Sequence, residues 1–301
     1  MAHDYHAPVL LHDCLEGLNV RSDGTYVDAT FGGGGHGRAI LGRLGPAGRL
    51  IAFDRDADAQ ANAPDDPRFS LVRADFRWLH NYLHYLGALP IDGLLADLGV
   101  SSHQFDTGGR GFSFRSDGPL DMRMDQRARR TAAQLLRQWD EAALARVLER
   151  YGEVRGARRV ARRIKEAGAQ RPIDTTARLA DAVRPMAPRG QEAGFLAQVF
   201  QALRIAVNDE LAGLEALLHH ATRDLRPGGR LVVISYHSLE DRLVKHWMRS
   251  GDPDGVVRQD VRGNPIRPFE PITRKAVRPS DHEMELNPRA RSARLRIAER
   301  T

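Results

Sequence analysis

Four strand-like segments of this chain each run into an aspartate, and the first leads directly into a glycine loop. Tyr26-Val27-Asp28 precedes Thr30-Phe31-Gly32-Gly33-Gly34-Gly35-His36-Gly37. Leu50-Ile51-Ala52-Phe53-Asp54, Leu71-Val72-Arg73-Ala74-Asp75 and Ile91-Asp92-Gly93-Leu94-Leu95-Ala96-Asp97 repeat the pattern. In a parallel sheet the carboxyl ends of the strands line one crevice, and ligands bind there. Four carboxylates at one rim, beside a loop that lets backbone approach a ligand, describe a nucleoside-shaped pocket.

Gly32, Gly34 and Gly37 satisfy G-x-G-x-x-G, and Asp54 stands at the distance of a ribose-binding acid. Alone, that would suit a nicotinamide or flavin dinucleotide. Asp28 argues otherwise, because a pyrophosphate gains nothing from a carboxylate ahead of the glycines. S-adenosylmethionine carries an ammonium and a sulfonium, which carboxylates favour. Leu225-Arg226-Pro227-Gly228-Gly229-Arg230 followed by Leu231-Val232-Val233-Ile234 adds the helix stop and apolar strand usual at the fifth strand of class I methyltransferases. The fold expected is therefore α/β, a Rossmann-like class I S-adenosylmethionine-dependent methyltransferase, with S-adenosylmethionine as cofactor.

A chain of 301 residues, 42% hydrophobic and 28% charged, can bury one large or two ordinary cores. It has no apolar run of membrane-spanning length and no signal-peptide core, so no membrane partner and a cytoplasmic location are expected. The single cysteine, Cys14, excludes an internal disulfide and a cysteine-rich zinc site. The net charge of +6 suits a nucleic-acid partner, although a GC-rich genome also enriches arginine.

The strand pattern stops after about Val100, and helical periodicity runs from roughly Phe105 to Asn208. Leu135, Leu136 and Trp139 form one stripe; Leu144, Val147, Leu148 and Tyr151 form a second, with Gly152 as C-cap. Val154, Ala157, Val160, Ala161 and Ile164 mark a third helix, and Phe195, Val199, Leu203 and Val207 a long one leading toward Leu211, Leu214 and Leu218. The domains expected are residues 1–104 and 209–301 for the methyltransferase and 105–208 for an inserted all-helical domain placed to overhang the crevice. Residues 251–280, rich in proline and arginine, read as a long basic loop, and Arg294-Leu295-Arg296-Ile297 alternates as a final strand would.

The densest polar stretch is Asp97-Leu98-Gly99-Val100-Ser101-Ser102-His103-Gln104, followed by Arg110 to Phe114 and Asp117 to Asp125. With His6-Ala7-Pro8-Val9-Leu10-Leu11, Val27 to Gly32, Phe200-Gln201-Ala202-Leu203-Arg204-Ile205, Ile234-Ser235-Tyr236-His237-Ser238-Leu239-Glu240-Asp241-Arg242 and Asn287-Pro288-Arg289-Ala290-Arg291-Ser292, it resembles the ribosomal RNA small subunit methyltransferase H family over nearly the whole chain. The resemblance implies methyl transfer from S-adenosylmethionine to N4 of a decoding-centre cytidine in 16S rRNA of the 30S subunit. It puts the cofactor contacts on Gly34, Gly35, His36, Asp54, Phe76, Asp97 and Gln104. Asp54 can accept ribose hydroxyls, Phe76 can pack on adenine, and Asp97 can orient the cofactor ammonium, the target amine, or both. Asp75 suits either the adenine amine or a capped turn. Members of the family usually carry His-Pro-Ala-Thr-Arg where this chain has Gly194-Phe195-Leu196-Ala197-Gln198, which bears on RNA contacts or a helix start in the insert.

The chemistry asks little of side chains. The N4 lone pair is delocalised, so acceptors on the amine protons free it, while positioning against an activated sulfonium supplies much of the rate. Asp97 is the expected acceptor, with Ser101, Ser102 and His237 as weaker candidates; His237 in a polar turn is equally a structural histidine. No cysteine nucleophile is required. His80 and His84 lack a third ligand, so no catalytic metal is expected. Arg155, Arg158, Arg159, Arg162, Arg163 and Lys165 in the insert, and Arg258, Arg262, Arg267, Arg274, Lys275 and Arg278 near the C-terminus, are the candidate phosphate contacts. The target base is expected to be flipped out or unpaired. A monomer or homodimer is expected. The rivals are a dinucleotide oxidoreductase and a non-catalytic RNA-binding or assembly factor.

Overall fold

A computed structural model describes residues 8–101, 104–105 and 107–301. The chain forms two compact units, one built from residues up to 99 together with 211–301, the other from 100–210. In chain order the principal helices are α1 (Leu11–Leu18), α2 (Gly35–Leu41) and α3 (Leu79–Tyr85), then α4 (Ala132–Gln138), α5 (Glu141–Gly152), α6 (Ala157–Gln170), α7 (Thr176–Val183) and α8 (Glu192–Asn208), then α9 (Glu210–Asp224) and α10 (Ser238–Ser250). Among the described residues no helix is long and apolar enough to cross a membrane.

The first unit is organised by a seven-stranded sheet. Its strands are β1 (Thr25–Asp28), β2 (Arg49–Phe53), β3 (Phe69–Val72), β4 (Ile91–Asp97), β5 (Leu225–Ser235), β6 (Phe269–Pro271) and β7 (Arg294–Arg300). The order is β3-β2-β1-β4-β5-β7-β6, with β1 to β5 parallel and β7 antiparallel to both its neighbours. Successive side chains on a strand leave opposite faces, so a central strand covered by helices on both sides must be apolar throughout. Val27, Ile51, Leu94, Leu231 and Val233 pack with Leu79, Leu83, Leu214, Leu218 and Trp247 from α3, α9 and α10. Tyr26, Leu50, Leu95, Val232 and Ile234 pack on the other face with Cys14, Leu18 and Ile40 from α1 and α2. Each such aliphatic side chain contributes about 1.5–3 kcal/mol by leaving water.

Two expectations change here. The fifth strand begins at Leu225, not Leu231: Ile91 pairs with Leu225 and Gly93 with Arg230, so Pro227-Gly228-Gly229 forms a bulge inside β5. Gly228, at φ 77, supplies the left-handed backbone that this excursion needs. Residues 251–280 are not a structureless loop: Arg258–Gln259 pairs with Pro265–Ile266 in a small hairpin, and β6 joins the main sheet. The alternation at 294–297 is explained by what each side meets. Leu295 and Ile297 are buried, while Arg294 and Arg296 both bind the Asp241 carboxylate of α10 at 3.0 and 2.7 Å.

The second unit is helical around Leu136, Leu144, Leu148, Val160, Ile164, Leu179, Val199 and Leu203. Thr131 and Gln134 cap α4 reciprocally, and the Asp140 carboxylate accepts the Ala143 N–H at the start of α5. Gly152 is the last helical residue rather than the cap, which is Glu153 at φ 51. A Cβ at Gly152 would lie 2.5 Å from the Gln198 carbonyl oxygen and 3.0 Å from the Ala202 Cβ, so glycine is there for close packing of α5 on α8. Val154 is buried in the turn before α6. The long C-terminal helix is two, separated at Asp209 with φ 48. Gly194 lies in the first turn of α8, which starts at Glu192 without a side-chain cap.

Candidate functional site

Asp28 and Asp97 are the last residues of the neighbouring strands β1 and β4, whereas Asp54 falls one residue beyond β2 and Asp75 three beyond β3. Register brings the first pair together, since Asp28 is opposite Leu95. The Asp97 N–H donates to Thr30 Oγ1 at 2.6 Å, and the Tyr236 hydroxyl donates to Asp97 Oδ1 at 2.8 Å. His36 Nε2–H donates to the Val9 carbonyl at 3.0 Å, which leaves Nδ1 facing Asp97 Oδ2 at 3.8 Å. Burial raises the Asp97 pKa; the His36 charge and the Tyr236 hydrogen bond oppose that shift.

Asp28 is the most deeply buried of the four acids, at 1% exposed. Its Oδ1 accepts the Thr30 N–H at 3.1 Å, while Oδ2 is buried and has no hydrogen-bond partner among the described residues. Burial pushes its pKa up to about 6, against the favourable charge of His36 and the Thr30 amide. Two like charges nearby, Asp97 and Asp54, act in the same direction as burial. An orphaned buried carboxylate oxygen destabilises the fold unless a cation or donor reaches it.

The glycine loop turns between these acids. Gly34 adopts φ 73, and a Cβ there would lie 2.6 Å from the Phe31 ring. Asp54 holds the loop from the next strand, its Oδ2 accepting the Gly32 N–H at 2.8 Å and its Oδ1 the Asp56 N–H at 2.8 Å. Burial raises the Asp54 pKa against those two bonds. The Asn62 amide donates to the Gly32 carbonyl at 3.0 Å, closing the loop from the other side. Asp75 is engaged as a cap: it accepts the Arg77 N–H at 3.0 Å and pairs with Arg55 at 3.0 Å. Phe76, half-buried, follows directly.

Other sequence candidates have structural partners. His237 is the N-cap of α10, its Nδ1 accepting the Glu240 N–H at 3.4 Å, while the Glu240 carboxylate accepts the Tyr236 N–H at 2.9 Å. In the second unit Ser101 and Gln104 cap each other, the Ser101 hydroxyl accepting the Gln104 N–H and the Gln104 carbonyl accepting the Ser101 N–H, each at 3.1 Å. Ser102 and the His6-Ala7 portion of the N-terminal motif lie outside the described residues. The Arg110–Asp125 stretch is tied down by its own bonds: Asp121 grips Arg123, and buried Asn208 accepts the Met124 N–H and donates to the Met122 carbonyl at 2.8 and 2.7 Å. Cys14 is fully buried, and burial pushes its thiol up, away from thiolate chemistry.

Sequence reasoning passed over Tyr236 and Thr30 as site residues. Tyr236 was visible as the residue following an apolar strand, but only the pairing of β5 with β4 shows that its hydroxyl meets Asp97. Of the arginines in the insert, Arg163 donates to the Ala182 carbonyl and Arg162 pairs with Glu141. Lys165 donates to the Leu136 and Trp139 carbonyls at 3.0 and 2.7 Å, capping the C-terminus of α4.

A parallel five-stranded array extended by an antiparallel β7 between β5 and β6, with acids at the ends of β1 and β4 and a glycine loop after β1, defines a class I methyltransferase fold. The description "MraW methylase family" matches residues 3–301, and the chain belongs to that family. The "Ribosomal RNA small subunit methyltransferase H" of Parabacteroides distasonis is 53% identical over 297 residues, 98% of this chain and 97% of the relative. Its namesake in Cytophaga hutchinsonii is 51% identical over 298 residues, 98% of this chain and 99% of the relative. The family resemblance read from the motifs is borne out.

Proposed function

We propose that the protein transfers a methyl group from S-adenosylmethionine to the exocyclic N4 of a decoding-centre cytidine in 16S rRNA of the small ribosomal subunit. The observation that carries the reading is Asp97 at the end of β4, its backbone N–H held by Thr30 and its carboxylate by Tyr236, in a chain that matches its methylase family over residues 3–301.

The residues present suit the cofactor. Asp28 offers a buried carboxylate oxygen that still lacks a partner, as an ammonium-bearing ligand requires and a pyrophosphate does not. Asp54 keeps lone pairs available beyond its two amide bonds, enough for ribose hydroxyls. Gly34 and Gly35 form the backbone wall, His36 flanks Asp97, and Phe76 supplies an apolar face for adenine; Gln104 completes the set by family resemblance. S-adenosylmethionine supplies an activated methyl group when bound.

The chain's own residues then have one task, to make a poor nucleophile adequate. Asp97 accepts a hydrogen bond from the N4 amine, which draws the lone pair out of the ring. Tyr236 keeps one oxygen oriented and leaves the other for the amine. A carboxylate whose pKa is raised by burial is also a stronger proton acceptor. Ser101, Ser102 and His237 are supporting candidates, and the residues up to 104, 105–208 and 209 onward divide into catalytic and substrate-recognising parts, with the helical insert recognising RNA. We expect the protein to act in the cytoplasm as a monomer or homodimer, without a metal.

The test is transfer of labelled methyl to 30S subunits from cells lacking this methylation, followed by digestion and mass analysis of nucleosides. Label in N4-methylcytidine is the expected result. Cofactor binding without label would sink the substrate assignment, and no cofactor binding would sink the methyltransferase reading.

A further inference from the structure

The hairpin after α10 is built unlike the rest of the surface. Arg258 pairs with Ile266 and Gln259 with Pro265, and the turn between them is organised by a single side chain. Asp260 Oδ1 accepts the Arg262 and Asn264 N–H groups at 2.8 and 2.9 Å, and its Oδ2 accepts the Asn264 amide at 3.0 Å. The Asp260 N–H donates back to the Asn264 carbonyl at 2.9 Å, and Gly263 takes φ 82. The Asn264 amide and the turn's backbone N–H groups hold the Asp260 pKa below its ordinary value, so the carboxylate stays ionised and keeps the turn closed. The tip is therefore preformed although it is exposed.

What the tip presents is apolar and cationic together. Val256, Val257, Val261 and Ile266 are 58%, 51%, 104% and 55% exposed, four of the nine large hydrophobic residues exposed among the described residues. Such clustering marks a surface that meets a partner. Arg258 and Arg262, with Arg274, Lys275 and Arg278 further along, are exposed and have no ion-pair partner among the described residues. Arg267, by contrast, is neutralised by Glu270 at 2.8 Å. Arg258 and Ile266 are cross-strand partners and so leave the ribbon on one face. Unpaired arginines around a rigid apolar tip match a polyanion with apolar faces of its own, such as the phosphates and unstacked bases of a folded RNA.

We propose that residues 256–266 form a β-ribbon that docks on structured RNA, with Arg258 and Arg262 on phosphates and Val261 seated against ribose or base. This rests on the rRNA reading above and extends it by naming the element that holds the substrate away from the reacting base. Charge complementarity favours RNA over a protein partner, because the hairpin carries the cations Arg258 and Arg262 while its one tip carboxylate, Asp260, is turned onto the amides of its own turn.

Binding to protein-free 16S rRNA and to 30S subunits would be measured for the wild type, Arg258→Ala/Arg262→Ala, Val261→Ser and Asp260→Ala. The double variant is expected to bind both RNAs about tenfold more weakly, with a salt slope lower by roughly two. KM for RNA should rise while kcat and cofactor affinity stay unchanged. Asp260→Ala separates a built tip from bulk charge: it removes a negative charge, yet loss of the turn is expected to weaken binding. Tighter binding by Asp260→Ala, or wild-type affinity in the double variant, would overturn the proposal. Loss confined to 30S subunits would also overturn it, since the occupant would then be a ribosomal protein. Wild-type RNA binding that depends on the ribbon but is followed by no methyl transfer would uphold the ribbon and remove the proposed reaction.

Discussion

The Tyr236 hydroxyl donates to Asp97 Oδ1 at 2.8 Å across 139 residues of sequence, joining the end of β5 to the end of β4. That one bond fixes which oxygen of Asp97 remains open, and it opposes the rise in Asp97 pKa that burial imposes.

Tyr236→Phe should therefore lower kcat about tenfold, the weight of one hydrogen bond to a charged group. With the lowering influence gone, the Asp97 pKa rises further, so the acid limb of the rate profile should move to higher pH. An unmoved limb would show that Asp97 titration does not govern the rate. Asp97→Ala should abolish methylation and leave RNA retention largely intact.

Asp28 links pH to stability. Its folded pKa of about 6 lies above the ordinary carboxylate value of 3.8, so between them the folded state binds more protons than the unfolded one. Stability is favoured below about pH 4 and is lost as pH rises through 6, by up to roughly 3 kcal/mol from this group alone. Asp28→Asn should raise Tm at pH 7, lose that advantage near pH 4, and weaken S-adenosylmethionine binding by on the order of tenfold. A calorimetric series over that range, with titration of the cofactor, checks both parts.

Gly152→Ala should destabilise the helical unit by about 1–3 kcal/mol, because its Cβ meets the Gln198 carbonyl and the Ala202 methyl on α8. Helix-selective unfolding followed by circular dichroism would register it. Unchanged stability would mean that α5 and α8 separate without penalty.

Lys165 and its arginine neighbours should behave differently under the same substitution. Lys165→Ala removes the cap on α4 and should cost about 1 kcal/mol in urea denaturation. Arg158→Ala and Arg159→Ala, both exposed, should leave stability within about 0.5 kcal/mol and weaken RNA binding instead.

Much of the fold was legible because continuous apolar runs and terminal aspartates are local signals. Val27, Ile51 and Leu94 announce a doubly covered sheet without knowledge of their partners. What stayed hidden depended on distant contacts. Gly152 looked like a cap because the approach of α8 leaves no mark in nearby sequence. Pro227-Gly228-Gly229 looked like a boundary because a bulge and a turn use the same residues. In the site, Asp28 and Asp97 could be read from strand ends, but the Tyr236 hydroxyl and the reciprocal Ser101–Gln104 cap required three dimensions.

The antiparallel strand β7 lies between β5 and β6, and it is drawn from residues 294–300. The unit bearing the acids thus waits for residues 294–300, whereas the unit spanning 100–210 is continuous and its core is complete long before. Emerging from a translating ribosome, the helices can settle first while β1 to β4 stand with an unfilled sheet edge. A message truncated before β7 would leave β5 and β6 without their shared neighbour, a product marked for aggregation or removal rather than a weakened enzyme.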